Sequence, residues 1–293
     1  MRTTCIFLLI TFEFVACLTG QELQVNEARP LGKLVLQLVK NYGFLVNYEE
    51  SPYQPNELAT TVYPDGRKFT YPLHNPLTLK LQVEGGDASA KVIKGIQSLP
   101  LAEELIPRLV AEYNKSGNPG HFSVRFDGEY TSIVGERSIS RQGISAAGSL
   151  LDVRVKMDAR SQLCSETLRE LYSQIQQVIG ENVGEGLIPA NSKFSHNCTI
   201  SGSVDLTARQ VLLQILKQMG DHGPGNPTTR LVYWLAHDSN GGGSYFLSVY
   251  GAPGVASVAD QSRKVDVTVA VPTETGARKS ESKALDPAIG KKF

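Results

Sequence analysis

Four cysteines are the side chains best suited to covalent chemistry in this sequence, and they occur as two pairs. Cys5 and Cys17 lie in the first twenty residues, whereas Cys164 and Cys198 lie in the middle of the sequence. If the first pair is removed with an export signal, an even count remains in a protein that enters an oxidising compartment. We therefore predict a disulfide between Cys164 and Cys198, contributing about 3 to 4 kcal/mol in the chain-entropy model. Two buried free thiols are the alternative.

The other polar residues show no spacing typical of a catalytic, cofactor or metal site. The sequence has no zinc-finger or zinc-protease pattern, no Gly-x-Ser-x-Gly elbow and no P-loop. Glu103 and Glu104 are adjacent on a predicted helix and point in different directions, so they do not form an acid/base pair. We predict no cofactor and no catalytic residue, with a hydrolase assembled from distant residues as the alternative. The five histidines are scattered: His74, His121, His196, His222 and His237.

Tyrosines are concentrated in the first half of the chain, around a Pro-rich loop at residues 50–76. Tyrosine offers a large contact area with a polar tip, which suits recognition of an extended peptide or a glycan. We predict a binding surface formed by Tyr48, Tyr53, Tyr63 and Tyr71, with core packing of some of them as the alternative.

The first twenty residues have the composition of a secretory signal peptide. Arg2 precedes an apolar run from Cys5 to Cys17, and small or polar residues follow. The run is shorter than the roughly 20 residues that span a bilayer, so we expect no membrane span and a soluble periplasmic or secreted protein. A buried amphipathic helix is one alternative. In another, Phe14–Cys17 acts as a bacterial lipobox, and Cys17 is lipidated.

The charge balance excludes one class of partner. Twenty-nine basic residues match twenty-nine acidic residues, giving a formal net charge of zero. A nucleic-acid binder, or a protein bound to anionic lipid, would carry an excess of positive charge. We therefore expect no nucleic-acid partner.

Four segments repeat apolar residues with the 3.6-residue period of an amphipathic helix, and β-rich sequence follows each one. Each of these helices is predicted to end at a glycine, in chain order Gly43, Gly117, Gly180 and Gly220. Pro107 indicates either that the second helix begins near Ile106 or that the helix is kinked at this point. The predicted helices cover about residues 30–42, 105–113, 165–179 and 207–219. Alternating strands are predicted at 44–48, 77–83, 122–126, 231–235 and 245–249, with hairpin turns at 127–128 and 240–243.

The order of these elements repeats, which indicates an internal duplication. Gly117-Asn118-Pro119 opens a strand pair after the second helix, and Gly225-Asn226-Pro227 opens another after the fourth. We predict an α+β fold made of two tandem β-α-β-β-α-β-β units, each a small mixed sheet with helices packed on one face. The domains would be a signal peptide at 1–20, units at 21–142 and 149–251, and a low-complexity, largely disordered tail at 252–293.

Apolar patterning at Pro30–Tyr48, and again at Leu206–Gly220 with Leu231–Leu235, resembles the short N-terminal module of secretins and TonB receptors. It is also similar to exported soil-bacterial proteins that carry two such halves. The resemblance implies β-α-β modules that mediate contacts between envelope proteins. This chain departs from those families in lacking a receptor plug, a barrel and a secretin pore region.

These observations predict an exported, non-catalytic interaction module. Its partner would be another envelope protein or a peptide, added as a strand to an exposed sheet edge. A lipidated surface protein and the dispersed hydrolase are the alternatives, and the oligomeric state stays open.

Overall fold

The computed structural model describes residues 20–83, 99–140, 143–145, 148–188, 196–200, 202–221, 230–238, 244–252 and 265–270. The predicted signal peptide with Cys17 lies outside the described residues, apart from its last residue. The predicted turn at 240–243 and most of the predicted tail also lie outside them.

Four helices are present in the described part of the chain, so the predicted α+β class is confirmed. They are α1 (Pro30–Tyr42), α2 (Leu99–Lys115), α3 (Cys164–Ile179) and α4 (Ala208–Asp221). Helix α2 begins seven residues before Ile106 and continues through Pro107. Gly43 and Gly180 end α1 and α3 in the left-handed conformation, as their positions predict. None of the described helices has the length and apolar character needed to cross a bilayer.

The strands are short and belong to several sheets. In chain order they are β1 (Gly20–Val25), β2 (Val46–Glu49), β3 (Leu58–Val62), β4 (Lys68–Pro72), β5 (Leu77–Val83), β6 (Phe122–Asp127), β7 (Tyr130–Gly135), β8 (Ser138–Ser140), β9 (Gly143–Ser145), β10 (Arg154–Met157), β11 (Arg160–Leu163), β12 (Val183–Glu185), β13 (Asn197–Ile200), β14 (Ser203–Thr207), β15 (Arg230–His237), β16 (Tyr245–Ala252) and β17 (Val265–Ala270). The last of these, β17, lies within the segment 252–293 that the sequence predicts as a tail.

One six-stranded sheet, in the order β12-β16-β15-β2-β7-β6, runs through both halves of the chain. The first half contributes β2, β7 and β6, and the second contributes β12, β16 and β15. In each set the first strand is parallel to the second, and the second is antiparallel to the third. The halves join where β15 pairs with β2 in parallel. The duplication stays a prediction, which these matching pairings support, but the sheet is shared instead of separate.

The shared sheet has a hydrophobic core on each face. Val232 and Trp234 of β15 face the core that contains α1 and α2, whereas Leu231, Tyr233 and Leu235 face the core that contains α3 and α4. Successive strand residues point to opposite faces, so one strand serves both cores. The two pairs of helices therefore lie on opposite faces of the sheet.

Helix α1 lies unusually close to the junction between the halves. A Cβ atom on Gly32 would come within 2.8 Å of the Trp234 ring and 2.9 Å of the Tyr48 ring. Any larger residue at this position would push the helix away from the sheet. Gly32 is thus required by the packing of α1 across both halves.

The predicted disulfide is present: Cys164 is bonded to Cys198. It joins the first residue of α3 to β13, and both sulfur-bearing residues are fully buried. The bond ties the third helix to a small two-stranded sheet, β11–β13, that lies outside the shared sheet. Closing a loop of this length stabilises the second half by about 3 to 4 kcal/mol.

Candidate functional site

Two consecutive glutamates lie at the centre of the shared sheet. Glu49 is the last residue of β2, and Glu50 follows it. Their exposed fractions are only 1% and 3%. Because the side chains of successive residues in an extended chain point in opposite directions, the two carboxylates lie on opposite faces of the sheet. Buried carboxylates require charged or hydrogen-bonding partners, and both glutamates have them.

Glu49 is the centre of a charge network between the halves. Arg209 of α4 donates two hydrogen bonds to it, Nε to Oε1 at 2.8 Å and Nη2 to Oε2 at 2.9 Å. The hydroxyls of Tyr233 and Ser149 also donate to this carboxylate. A bidentate contact of this kind is the strongest hydrogen-bonding geometry available to an arginine and a carboxylate. Both oxygens of Glu49 are therefore occupied.

The network continues through Asp152, which lies in the segment that connects the halves. Arg209 donates to Asp152, and Arg125 of β6 donates two further bonds to the same carboxylate. Burial alone would raise the pKa of Asp152, but the hydrogen bonds from Arg125 and the charge of Arg209 hold it below its ordinary value. Asp152 is consequently ionised at neutral pH and links one strand of the first half to a helix of the second.

Glu50 forms the corresponding contacts on the other face. It accepts hydrogen bonds from Arg29, from the Tyr53 hydroxyl and from the backbone N–H of His237, the last at 2.8 Å. Burial raises the pKa of Glu50, and the charge of Arg29 opposes that rise. Arg29 also donates to the carbonyl oxygen of His237 at 2.9 Å. Glu50 and Arg29 thus hold the end of β15 against the first half.

Arg29 adopts a backbone conformation with φ of 63°, which no other described non-glycine residue shares. Left-handed conformations strain residues that carry a Cβ, and they persist where surrounding contacts fix them. The contacts of its guanidinium with Glu50 and His237 supply that fixation. The strain is evidence that this ion pair is a specific feature of the junction.

His237 is buried beside this ion pair, and neither of its ring nitrogens has a hydrogen-bond partner among the described residues. Its ring contacts the Tyr245 ring edge-on, with centroids 5.0 Å apart. Burial lowers the pKa of His237 to about 4, although Asp238 acts in the opposite direction. The imidazole is therefore neutral at pH 7, and protonating it would place an unpaired positive charge in the core.

The geometry of the junction suits it to structural support. The carboxylates of Glu49 and Glu50 are enclosed and bonded to protein groups. The Ser149 hydroxyl donates to Glu49, and its oxygen accepts the N–H of Leu151. In the described segments no group of three or more His, Cys, Asp or Glu residues is arranged to hold a metal ion.

Two of the four tyrosines predicted to form an exposed surface are buried, which corrects that prediction. Tyr48 is 1% exposed and packs edge-on against Trp234, with centroids 5.2 Å apart. Tyr53 is 6% exposed and donates its hydroxyl to Glu50. Tyr48 lies on β2, whose central place in the sheet depends on pairing with the distant strand β15. Nothing local in the sequence shows that pairing.

The other two tyrosines lie on a surface hairpin formed by β3 and β4, residues 58–72, which we call the aromatic hairpin. Tyr63 is 40% exposed, and Tyr71 is half-buried. Phe69 is 44% exposed and stacks on Tyr71 with centroids 6.0 Å apart, and Val62 is 59% exposed. Neither hydrophobic core includes a residue between Gln54 and Pro76. These exposed apolar side chains are therefore not required for the folded core.

The base of the aromatic hairpin is held by Glu57. This carboxylate accepts hydrogen bonds from the backbone N–H groups of Gln54 and Gly120, at 2.7 and 3.0 Å, and from Arg137 at 2.9 Å. Burial would raise the pKa of Glu57, but these hydrogen bonds together lower it. The carbonyl of Glu57 also accepts the N–H of Leu73 across the hairpin at 2.8 Å. The hairpin is thus fixed at its base.

Sequence reasoning missed the junction residues altogether. One available signal was the pair Glu49-Glu50 directly after the strand Phe44–Tyr48, because charged residues are unusual at the end of a buried strand unless they are paired. The partners could not be identified, since Arg209 lies 160 residues from Glu49.

Comparisons with protein-family models, curated proteins and solved structures return no match for this chain. The resemblance to the secretin and TonB-receptor module accordingly stays a prediction.

Replacing Arg209 with Met should destabilise the protein by about 3–5 kcal/mol, because Glu49 would be left buried without its charged partner. Arg230→Met is the matched control, since it removes the exposed ion pair with Glu129 and should change stability by about 0–1 kcal/mol. Urea unfolding of both variants measures the difference. Equal losses would show that the buried network is no stronger than a surface ion pair.

His237→Phe should remove a pH-dependent loss of stability. An unfolded histidine binds a proton below a pKa of about 6.5, whereas folded His237 does so only near 4. Stability is therefore lost as the pH falls from about 6.5 to about 4, and at pH 5 the loss is about 2 kcal/mol. The measurement compares the free energies of unfolding of the variant and the natural chain. When the pH falls from 7.5 to 5, their difference should shift by about 2 kcal/mol in favour of the variant. A margin independent of pH would contradict the neutral, buried state of His237.

Proposed function

We propose that this chain is an exported, non-catalytic interaction module whose aromatic hairpin binds an extended segment of another envelope protein or a peptide. The observation that carries the proposal is the exposure of Val62, Tyr63 and Phe69 on an element that belongs to neither core. Large apolar side chains gathered on a projecting element are typical of binding surfaces.

The pairing of the hairpin supports this mode of binding. Among the described strands, β3 and β4 pair only with each other, so neither has a second strand partner there. An isolated two-stranded hairpin has marginal stability in water, and a third strand would stabilise it. An added peptide strand would gain backbone hydrogen bonds from an edge and side-chain contacts from the face that carries Phe69 and Tyr71.

The attachment of the hairpin favours binding energetically. Because Glu57, Arg137 and Gly120 fix its base, the strands are held in an extended conformation before a partner arrives. Preorganisation of this kind reduces the conformational entropy lost on binding. At the tip, Arg67 lies over the Tyr63 ring, 5.8 Å from its centroid, and pairs with Asp65 at 2.7 Å. These contacts orient the Tyr63 ring beside the hairpin.

Export is the second part of the proposal. The N-terminal sequence pattern supports a signal peptide, and the buried Cys164–Cys198 disulfide suits an oxidising compartment such as the periplasm. Lipidation at Cys17 would fix the same module to a membrane surface without altering its hairpin. No observation on the described residues favours the alternative of a hydrolase.

Site-specific photo-crosslinking tests the hairpin directly. A benzoylphenylalanine at position 63 or 69 should form an adduct with the partner when cells of the native organism are irradiated. The control position is Val178 near the end of α3, which is 57% exposed but lies far from residues 58–72 in the sequence. The adduct formed at position 63 should decrease strongly when Phe69→Ser is added, because Phe69 is exposed on the same face of the hairpin as Tyr71 and its apolar contact would be reduced. Equal adducts at 178 and 63, or none at 63 and 69, would contradict the proposal.

A further inference from the structure

We propose that this chain assembles with copies of itself, head to tail, by parallel pairing of β6 of one copy with β12 of the next. The inference is independent of the aromatic hairpin. It rests on the way in which the two halves of one chain are already joined.

The two strands that meet at the internal junction occupy different positions within their own sets of three strands. Within each half the three strands follow one order, β2-β7-β6 in the first and β12-β16-β15 in the second. The last strand of the second set, β15, pairs with the first strand of the other set, β2. Strand β6 is therefore the counterpart of β15, and β12 is the counterpart of β2. These two counterparts lie at the opposite ends of the shared sheet.

A junction between unlike edges can be repeated between molecules. Because each chain retains one β15-like edge and one β2-like edge, a second copy can add to either end by the same parallel pairing. The strand directions show that the second half is turned over relative to the first, with its helices on the other face. In a copy added at β6, the strand next to β6 would be β12, which belongs to the second half. The added copy would therefore have the same orientation as the copy before it. Such contacts are heterologous and do not close by two-fold symmetry.

The outward backbone groups of β6 can be identified from its neighbours. Phe126 is opposite Thr131, whose N–H donates instead to the carbonyl of Leu45, the residue before β2, at 2.9 Å. This pair therefore makes no mutual hydrogen bonds, and the N–H and C=O of Phe126 point away from β7. The N–H and C=O of Val124, two residues earlier, also point away from β7.

The side chain of Asn114 occupies the next outward position on β6. It accepts the N–H of Phe122 at 3.1 Å and donates to the Phe122 carbonyl at 2.8 Å. One end of the edge is thus closed by the protein itself. The outward groups of Val124 and Phe126 have no strand partner among the described strands and form the open part of the edge.

The outward groups of β12 follow from its parallel pairing with β16. The N–H of Gly186 donates to Leu247, and the carbonyl of Asn182 accepts the N–H of Tyr245, both at 2.8 Å. Alternation then turns the backbone groups of Val183 and Glu185 away from β16. This strand also has no second partner among the described strands.

Both ends of the sheet expose a large apolar side chain. Phe126 is 50% exposed on β6, and Leu187, two residues after β12, is 71% exposed. An open strand edge beside an exposed apolar residue is a template for pairing with another chain. Joining the two edges would remove both side chains from water and satisfy the outward backbone groups.

Sedimentation velocity of the mature protein, from micromolar to near-millimolar concentration, tests the inference. The natural chain should show a series of species that grows with concentration. Phe126→Pro should leave the protein monomeric at all these concentrations, because it removes an outward N–H from β6 without removing a hydrogen bond to β7. Leu187→Asp should also prevent assembly, because it replaces an exposed apolar side chain beside the β12 edge with a charged one. Val178→Asp on α3 is the control and should assemble like the natural chain.

Mixing the two edge variants distinguishes this geometry from other dimers. Each variant alone should be monomeric, because one of the two unlike edges is blocked on every molecule. An equal mixture should form dimers and nothing larger, through intact β6 of the Leu187→Asp chain and intact β12 of the Phe126→Pro chain. A natural chain that stays monomeric, edge variants that assemble normally, or a mixture without dimers would overturn the proposal. Circular dichroism and thermal unfolding of each variant confirm that it is folded.

Discussion

The parallel pairing of β15 with β2 is the constraint on which the rest of this structure depends. It merges two sets of three strands into one sheet and places a core on each face. The pairing leaves Glu49 and Glu50 in the interior, where they are stable only with arginine partners. Each face therefore needs its own ion pair, supplied by Arg209 on one side and Arg29 on the other. An arrangement of the halves that separated either glutamate from its arginine would leave a buried charge uncompensated and is therefore disfavoured.

Local pattern predicted the four helices and five of the seventeen described strands, because the causes of these elements are local. The apolar stripe and Gly43 define α1, the stripe and Gly180 define α3, and the Asp127-Gly128 turn joins β6 to β7. The disulfide followed from cysteine count and the export signal. Helix α2 is longer than its apolar stripe predicts, and of the two alternatives that Pro107 offers, a start near Ile106 is wrong, because the helix continues through the proline. A proline within a helix removes one hydrogen bond, and the buried residues Leu105, Ile106 and Leu109 hold the helix in place around it.

The junction could not be predicted, because its contacts join residues far apart in the sequence. The ion pair of Glu49 with Arg209 spans 160 positions, and the hydrogen bond from His237 to Glu50 spans 187. Periodicity identifies which face of a strand is apolar but does not identify its neighbour. For the same reason Tyr48 was assigned to a surface, although β15 covers it. The exposed part of the proposed site, Tyr63 and Tyr71, was accessible to sequence reasoning because hairpins are local.

A well-packed interior, with peripheral strands that pair on one side only among the described strands, is well suited to joining proteins. The aromatic hairpin and the two ends of the shared sheet are separate surfaces. One molecule could therefore bind a partner at the hairpin and copies of itself at the sheet ends at the same time. Native-state hydrogen exchange tests most directly whether the halves form one unit. The account predicts that the N–H groups of Glu50 and Tyr233, bonded across the junction to Leu235 and Asn47, exchange as slowly as the slowest amides of either core. Fast exchange at these amides, or separate opening free energies for the two halves, would contradict it.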